Sequence, residues 1–165
     1  MGGKALGGKK ITNEEAVNLF NKIMTDNDLI SKTDKIMLCG SARRKKDTCG
    51  DLDVVFIDDE NNSLKAWLAS EFGYQKNGKA KIKGLVEGVQ VEFYEATPPT
   101  WGSTTLMWTG PAFSNIRMRK ASKKNGWKMS QYGIKDESGK NLTENMTEES
   151  IYELLGMSYR VPEKR

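Results

Sequence analysis

Residues 39 to 58, CGSARRKKDTCGDLDVVFID, combine a small-residue turn, four consecutive cations and two acids one residue apart. The last part of this stretch, Leu52–Ile57, is apolar and rich in β-branched residues, which predicts a strand. Successive side chains of a strand point to opposite faces, so Asp51 and Asp53 share a face. We therefore expect two carboxylates to converge on one site at the start of this strand.

A divalent cation suits two adjacent carboxylates, because it relieves the repulsion between them. Their hard oxygen atoms favour Mg²⁺, with Mn²⁺ able to replace it. Glu92 lies in a second predicted strand, VQVEFY at residues 89 to 94, and adds a third carboxylate if the two strands are neighbours. Two-metal phosphoryl transfer requires such a triad, so we expect two ions per site. If Glu92 is not a ligand, Asp58, Asp59 or Glu95 is the acid to consider in its place.

The residues that precede the two aspartates suit a triphosphate. Gly40 and Ser41 can bring backbone N–H groups and a hydroxyl close to phosphate oxygens, and Arg44 can bind them with its two-pronged guanidinium. A solvated turn followed by an acidic strand is the alternative for the Asp-x-Asp pair taken alone. The whole string from Gly40 to Asp53 is more specific. It predicts that the cations hold a triphosphate and that the acids hold the metal ions bound to it.

The composition excludes several other kinds of site. The chain has 165 residues, a net charge of +4, 37% hydrophobic and 29% charged residues, and no histidine. Histidine-ligated zinc hydrolases, Ser-His-Asp triads and Cys-His nucleophiles are therefore excluded. Two cysteines are too few for a disulfide framework, no apolar run can span a bilayer, and the start lacks the apolar segment of a secretory signal. We expect a globular protein that is not secreted and lies inside the cell, cytoplasmic or virus-associated.

Capping and turn signals outline an α+β fold with two lobes. Thr12 and Glu15 form a capping box, and Ser63 is expected to cap a later helix. The turn Glu87-Gly88 separates two predicted strands. The apolar residues of the first helix are Ala16, Val17, Phe20, Ile23 and Met24. Further predicted elements are a strand at 35 to 39, an Asn77-Gly78 turn, a basic helix after residue 111, a strand at 127 to 134 and a last helix at 147 to 155 closed by Gly156.

Two basic clusters lie on either side of the acidic residues. Lys79, Lys81 and Lys83 alternate at strand period and so share one face. The block from residue 112 to 132 contains six cations and no acid, which is typical of a surface that faces a polyanion. A solvated basic face is the alternative for either cluster alone. The six cations are Arg117, Arg119, Lys120, Lys123, Lys124 and Lys128.

Three groups of residues resemble the family X DNA polymerases, the polymerase beta-like repair group, and together they span the chain from about residue 10 to its end. One resembles the family's nucleotidyltransferase signature and consists of GSARR at 40 to 44 and GDLD at 50 to 53. A second resembles its nucleotide-selection helix and the strand after it, with WTGP at 108 to 111, Phe113, Asn115, Arg117, Arg119, Gly126 and QYG at 131 to 133. A third resembles its closing segment, with LGM at 155 to 157, Tyr159, Pro162 and Arg165.

The resemblance implies roles for individual residues. Asp51 and Asp53 match acids that bind both metal ions, and Glu92 matches the acid that binds the catalytic metal and the primer 3′-hydroxyl. The residues matched to contacts with the incoming nucleotide are Ser41, Arg44, Gly50, Lys10, Met107, Trp108 and Asn115. The residues expected to bind DNA are Arg117, Arg119, Lys120, Lys123 and Lys124. A core aromatic is the alternative for Trp108, and a helix-surface cation for Arg119.

The chain also departs from the family pattern. Glu92 replaces the usual aspartate, and Gln90 stands where many relatives carry an arginine that restrains that acid. Met107 replaces an aromatic residue and Ala112 an acid of some relatives, which bears on sugar discrimination. Relatives turn sharply at the Thr-Gly of this segment, and here Pro111 follows. We expect the Gly110-Pro111 bond to be cis, because that form costs only about 0.5–1 kcal/mol before proline.

The resemblance implies a nucleotidyltransferase-type palm with a mixed β-sheet flanked by helices at residues 10 to 105, and a small α+β nucleotide-selection (thumb) lobe at 106 to 165, after a flexible tail at 1 to 9. It implies a monomeric, template-directed DNA polymerase that adds dNTPs to a primer on gapped duplex, with low fidelity and without a lyase or proofreading domain. Two alternatives stay open. One is a template-independent nucleotidyltransferase acting on an RNA end or a small molecule, and the other is a nucleic-acid-binding module with an inactive metal site.

Overall fold

The structure is a computed structural model that describes residues 8–33, 35–77 and 79–165. The helices are α1 Asn13–Asp26, α2 Leu29–Lys32, α3 Gly40–Arg43, α4 Ser63–Phe72, α5 Trp101–Thr109, α6 Ala112–Lys124 and α7 Glu148–Leu154. The strands are β1 Ile11–Thr12, β2 Ile36–Leu38, β3 Thr48–Cys49, β4 Asp51–Ile57, β5 Tyr74–Asn77, β6 Lys79–Val86, β7 Val89–Ala96, β8 Lys128–Ser130 and β9 Gly133–Lys135. Short 3₁₀ turns lie at Pro98–Thr100 and Pro162–Lys164.

A five-stranded mixed sheet organises the first part of the chain. Its strand order is β2-β4-β7-β6-β5. The central strands β4 and β7 are parallel, and the other neighbours are antiparallel. The short strands β1 and β3 pair separately, with Ile11 opposite Cys49. The predicted α+β fold with a mixed sheet is confirmed.

The two faces of this sheet are covered by different helices. Helices α1 and α4 pack on one face, where alternate residues of β4 and β7 form the largest apolar core. The other face carries a smaller apolar cluster that includes Val55 and Tyr94 and receives Trp101 and Trp108 from α5. Successive side chains of a strand point to opposite faces of the sheet. The residues of β4 and β7 that alternate with the large-core residues therefore lie on this second face. Asp51, Asp53 and Glu92 belong to that face.

A second core lies in the C-terminal part of the chain. It joins helices α5, α6 and α7 to the β8–β9 hairpin, and it is rich in methionine and leucine, including Leu106, Met118 and Met129. Helix α5 is continuous across the proposed lobe boundary at residue 105 and contributes to both the second core and the sheet-facing cluster. The division into 10 to 105 and 106 to 165 stays a prediction.

Several local predictions are confirmed. The Thr12 hydroxyl accepts from the Glu15 N–H at 3.2 Å, and the Glu15 carboxylate accepts from the Thr12 N–H at 2.8 Å, so the capping box is present. The Glu87-Gly88 turn joins β6 and β7 with positive φ at both residues. The Gly110-Pro111 bond is cis, as expected.

Three local predictions are wrong. Val17 is 39% exposed and Leu19 is buried in its place, because the buried stripe of α1 follows positions 16, 19, 23 and 24 and Val17 lies beside it. Ser63 begins α4 but accepts no capping bond, because the preceding Asp58 and Asp59 accept the first N–H groups of the helix. The single strand at 127 to 134 is a hairpin, because residues 131 and 132 form its turn. The Asn77-Gly78 turn and most of the 1 to 9 tail lie outside the described residues.

Candidate active site

The strand register places the three predicted acids on two adjacent strands. In the parallel pair of β4 and β7, Asp51 lies opposite Gln90 and Asp53 lies opposite Glu92. Partners in register point to the same face, so all three carboxylates are on the sheet face that α5 covers. The prediction that Glu92 shares a face with Asp53 is confirmed.

Glu92 is held in a buried hydrogen-bond network. Its Oε1 accepts from Gln90 Nε2 at 2.8 Å and lies 3.4 Å from Lys83 Nζ, and its Oε2 accepts from the Tyr94 hydroxyl. Burial, with the nearby carboxylates of Asp53 and Glu92, raises the pKa of Tyr94, so its hydroxyl stays protonated and donates. Gln90, Tyr94 and Lys83 thus restrain Glu92. Gln90, the residue that the sequence analysis matched to a restraining arginine, contributes its amide N–H.

The three acids are not gathered into a metal-binding cluster in this conformation. Among residues 8–33, 35–77 and 79–165, no group of three or more His, Cys, Asp or Glu side chains is arranged to hold a metal ion. Both oxygens of Glu92 accept hydrogen bonds, from Gln90 and from Tyr94. The donor chemistry still fits a hard divalent cation, since in-register strands supply three carboxylates, with Asp51 and Asp53 partly exposed.

The alternative acids have other positions. Asp58 accepts the N–H groups of Leu64 and Lys65, and Asp59 accepts those of Asn61 and Ser63, so both complete the start of α4. Glu95 follows Glu92 by three positions and therefore lies on the opposite face of β7. It pairs there with Lys65 at 3.7 Å. None of the three alternatives lies beside Asp53 in the register.

The turn before β4 approaches the aspartates closely. A Cβ atom on Gly40 would overlap Asp53 Oδ2, and Gly40 has φ of +62°, so only glycine suits this position. Arg44 lies close to this turn, because its N–H donates to the Gly40 carbonyl at 3.2 Å. Burial lowers the pKa of Arg44 from its ordinary value, and the carboxylates of Asp53 and Asp51 oppose that shift. Its Nη1 donates to the Thr109 carbonyl at 2.5 Å, and its buried Nε has no hydrogen-bond partner among the described residues.

The other residues predicted to bind the triphosphate surround this turn. Ser41 is half-buried in α3, and Gly50 is exposed immediately before β4 with open space on its Cβ side. Lys10 is exposed. Because β1 and β3 are antiparallel and Ile11 lies opposite Cys49, the preceding Lys10 and the following Gly50 are close neighbours. Arg44, Ser41, Gly50 and Lys10 lie in one region at the start of β4, although their roles stay predictions.

Two cations of the Arg43–Lys46 run have acidic partners within the chain, and the prediction that the run holds a triphosphate stays a prediction. Arg43 forms a two-pronged bond to Glu148 at 2.6 and 2.8 Å, and Glu148 also binds Arg165 at 3.1 Å. Lys45 pairs with Glu163 at 3.2 Å. These cations face acids of the C-terminal segment, which lie more than one hundred positions away in sequence. They connect the turn before β4 to the C-terminal segment.

The predicted nucleotide-pocket residues of α5 pack against the sheet. Trp108 stacks on Tyr94 with ring centroids 3.6 Å apart, and its Nε1 donates to Gln131 Oε1 at 2.9 Å. Met107 is buried, and its carbonyl accepts from Asn115 Nδ2 at 2.9 Å. Trp108 therefore has core-like contacts, and its ring connects the β8–β9 turn to the residue that binds Glu92.

The basic residues of α6 face solvent. Arg119 Nη2 donates to Met107 Sδ at 3.6 Å, which places its guanidinium beside the predicted nucleotide pocket. Phe113 and Ile116 on the same helix are also exposed, so the surface combines cations with apolar side chains. The five residues of α6 that were expected to bind DNA are all exposed: Arg117, Arg119, Lys120, Lys123 and Lys124.

The second basic cluster does not form a cationic surface at Lys83. Lys83 is 7% exposed and pairs with Glu92, because the β6–β7 register places the two residues opposite each other. The side chains of Lys79 and Lys81 lie outside the described part of the structure.

The sequence analysis missed two neighbours of Glu92. A two-residue turn at 87 and 88 pairs the residues on its two sides in order, so the register that brings Lys83 opposite Glu92 was readable from the sequence. Tyr94 lies two positions after Glu92 and therefore shares its face. Glu148 gave no comparable signal, since its contact with Arg43 spans 105 positions.

Neither a reactive thiol at Cys39 nor a membrane-spanning helix is present in the described residues. Cys39 is buried, and burial raises the pKa of its thiol to about 12, which makes it a poor nucleophile. Within the described part of the chain, none of the helices has the length and apolar character needed to cross a membrane.

Comparisons with known proteins agree with this geometry. The family described as DNA polymerase beta palm matches residues 10–92, and the family described as DNA polymerase beta thumb matches residues 104–165. A Repair DNA polymerase X of African swine fever virus is 30% identical over 169 residues, which cover 96% of each chain. DNA polymerase lambda of Rattus norvegicus is 23% identical, over 94% of this chain and 33% of its own length.

A crystal structure of Leishmania infantum polymerase beta, described as a ternary P/T complex, has the same fold. Its TM-score is 0.75 at 21% identity, over 95% of this chain and 77% of that one. The palm and thumb matches follow each other in chain order and together include Asp51, Asp53, Glu92 and the cations of α6. The chain belongs to the family X, polymerase beta-like, DNA polymerases.

Proposed function

We propose that this chain is a template-directed DNA polymerase that fills gaps in duplex DNA by adding dNTPs to a primer 3′-hydroxyl with two divalent metal ions. The observation that carries the proposal is the register of β4 and β7, which aligns Asp53 with Glu92 on one face and keeps Asp51 on that face. Arg44 adds a cation next to these acids. A carboxylate face beside an arginine suits a metal-bound triphosphate.

Asp51, Asp53 and Glu92 would hold the two ions, Mg²⁺ or Mn²⁺. When bound, the ions neutralise charge on the triphosphate and make the primer hydroxyl easier to deprotonate. Arg44 binds phosphate oxygens with its guanidinium, assisted by Ser41, Gly50 and Lys10 at the start of β4. Glu92 orients the primer hydroxyl, and Gln90 and Tyr94 hold its carboxylate at the required place.

The C-terminal residues would bind DNA and select the nucleotide. Met107, Trp108 and Asn115 line the pocket for the incoming dNTP, and the exposed cations of α6 contact DNA phosphates or the minor groove. The chain acts as a monomer. Since Met107 and Ala112 lack the aromatic and acidic groups of relatives, low fidelity and weak sugar discrimination are part of the proposal. They are tested by offering mismatched dNTPs and matched rNTPs.

A primer-extension assay on duplex with a one-nucleotide gap tests the proposal. We expect addition of the nucleotide complementary to the template base with Mg²⁺ or Mn²⁺, and loss of addition in Asp53→Asn. Asp58→Asn makes the same chemical change after the far end of β4 and should retain activity. Addition that ignores the template would instead support an untemplated nucleotidyltransferase. DNA binding without addition, with either metal, would support a binding module, and both results would overturn the proposal.

A further inference from the structure

Lys83 is a buried cation that the proposed reaction does not use. It is 7% exposed, although lysine is almost never fully buried unless it is paired. Its Nζ lies 3.4 Å from Glu92 Oε1 across the β6–β7 pair. Glu92 is equally buried, so the two charges neutralise each other in a part of the sheet that excludes most water.

Gln90, Tyr94 and Lys83, which all contact Glu92, differ in charge. Gln90 and Tyr94 are neutral donors, whereas Lys83 brings a formal positive charge to the carboxylate. Any divalent cation that binds Glu92 must therefore approach an ammonium group a few ångströms away. A like charge at 4 to 6 Å disfavours binding of a cation at such a site by about one to three orders of magnitude, as judged from its effect on proton binding.

We propose that Lys83 is a positioning residue that occupies Glu92 in place of a metal ion and keeps the affinity of this carboxylate for divalent cations low until substrates bind. The inference rests on the proposed function, because it assigns Glu92 to the metal site. Lys83 holds the glutamate opposite Asp53, and its charge opposes the cation at that position. When the triphosphate and the primer end bind, their negative charge raises the affinity of the site for the metal ion and favours the metal-bound arrangement.

Lys65 of α4 provides a matched comparison, because its partner Glu95 lies on the same strand as Glu92. It pairs with Glu95 of β7 at 3.7 Å, but on the opposite face and with its side chain 39% exposed. Lys65→Met thus removes the cationic partner of a β7 glutamate and leaves the candidate site unchanged. Lys83→Met makes the same change beside Glu92, and Lys83→Arg keeps the charge.

Mn²⁺ binding to the full chain without DNA or nucleotide, followed by electron paramagnetic resonance, tests the proposal. We expect Lys83→Met to bind Mn²⁺ about tenfold more tightly, the lower end of a like-charge effect. Lys65→Met and Lys83→Arg should bind as wild type does. In gap filling, Lys83→Met should need less metal for half-maximal rate but should extend more slowly at saturating metal, because Glu92 loses a contact that holds it. Equal Mn²⁺ binding by Lys83→Met and wild type would overturn the proposal.

Two further measurements keep the inference testable. If Lys83→Met fails to fold, the ¹⁵N signal of the Lys83 ammonium in the wild-type chain should shift when Mg²⁺ is added in the presence of gapped duplex and a non-hydrolysable dNTP, and an unchanged signal under these conditions would overturn the proposal. Asp53→Asn separates the two claims. If it leaves Mn²⁺ binding unaltered, the proposed metal site is wrong, and the role of Lys83 falls with it. If it abolishes binding while Lys83→Met has no effect, only the role of Lys83 is wrong.

Discussion

Two glutamates of this chain, one buried and one largely buried, are surrounded by cationic or polar donors, but in different ways. Glu148, at the start of α7, has a side chain that is 12% exposed and binds Arg43 at 2.6 and 2.8 Å and Arg165 at 3.1 Å. Glu92, in β7, is buried, lies 3.4 Å from Lys83 and accepts from the neutral groups of Gln90 and Tyr94. Two-pronged arginine bonds are short and strong, whereas a lysine acts as a point charge.

The difference separates a structural role from a chemical one. Glu148 has its oxygens committed to two arginines that come from the palm turn and the C-terminal segment, so it connects parts of the chain that are far apart in sequence. Glu92 accepts from two neutral donors and has a lysine ammonium at 3.4 Å, and these contacts are less costly to exchange for a metal ion than two-pronged arginine bonds. The same residue type therefore supports the fold in one lobe and the proposed reaction in the other.

The largest effect is expected from Glu148→Ala. It leaves Arg43 and Arg165 without their anion, and breaking a buried ion pair from one side costs about 3–5 kcal/mol in the free energy of unfolding. Urea denaturation measures the change. Lys45→Ala removes an exposed pair with Glu163 and should cost no more than about 1 kcal/mol. A Glu148→Ala protein as stable as Lys45→Ala would contradict the structural role.

Glu92→Gln should act mainly on the reaction. The amide keeps the shape of the side chain but loses the charge needed at the moment of attack, so single-turnover extension should slow by at least about a hundredfold, equivalent to about 2.7 kcal/mol. Nucleotide binding should largely survive, because Asp51, Asp53, Ser41 and Arg44 remain. Glu92→Asp should retain activity, since charge and ligand type are kept.

Glu95→Gln is the control for this prediction. It makes the identical change three residues later, on the face of β7 that packs towards α4. Its extension rate should remain close to that of wild type. If Glu92→Gln extended primers as fast as Glu95→Gln, Glu92 would not be a catalytic ligand.

The contrast also explains what the sequence could and could not predict. The acidic face was predictable, because it depends on local patterns. Asp51 and Asp53 share a face by strand alternation, and a two-residue turn sets the register of Glu92. The role of Arg43 was not, because four consecutive cations look alike until their distant partners are known. The same limit applies to Trp108, whose stacking on Tyr94 depends on how α5 crosses the sheet.

Tyr94→Phe tests a weaker partner of Glu92. It removes the hydroxyl that donates to the carboxylate and leaves the ring to stack on Trp108. A hydrogen bond to a charged group contributes about 1.5–3 kcal/mol, and we expect the lower end, because Gln90 and Lys83 still hold Glu92. The extension rate at saturating nucleotide should therefore fall by about tenfold. A loss as large as that of Glu92→Gln would mean that the tyrosine, and not the network as a whole, positions the acid.

The smallest effects are expected from the exposed cations of α6, which unlike Arg43 are not committed to acids within the described chain. Lys120→Gln, Lys123→Gln and Lys124→Gln should each weaken binding to gapped duplex by a similar factor on all sequences. Each should also reduce the slope of log affinity against log salt by up to about one unit, because each phosphate contact releases about one counterion. Fluorescence anisotropy at several salt concentrations measures both quantities.

The control for the basic helix is Lys22→Gln on α1. Lys22 is an exposed cation as well, but α1 packs on the sheet face opposite Asp53 and Glu92. Its removal lowers the net charge by the same amount and should leave the salt slope unchanged, since only cations that meet phosphates release counterions. An equal change in slope for Lys22→Gln and Lys123→Gln would show that net charge, and not the surface of α6, governs DNA binding. In that case the cations of α6 would form a solvated face, and the comparison between committed and exposed cations would lose its functional meaning.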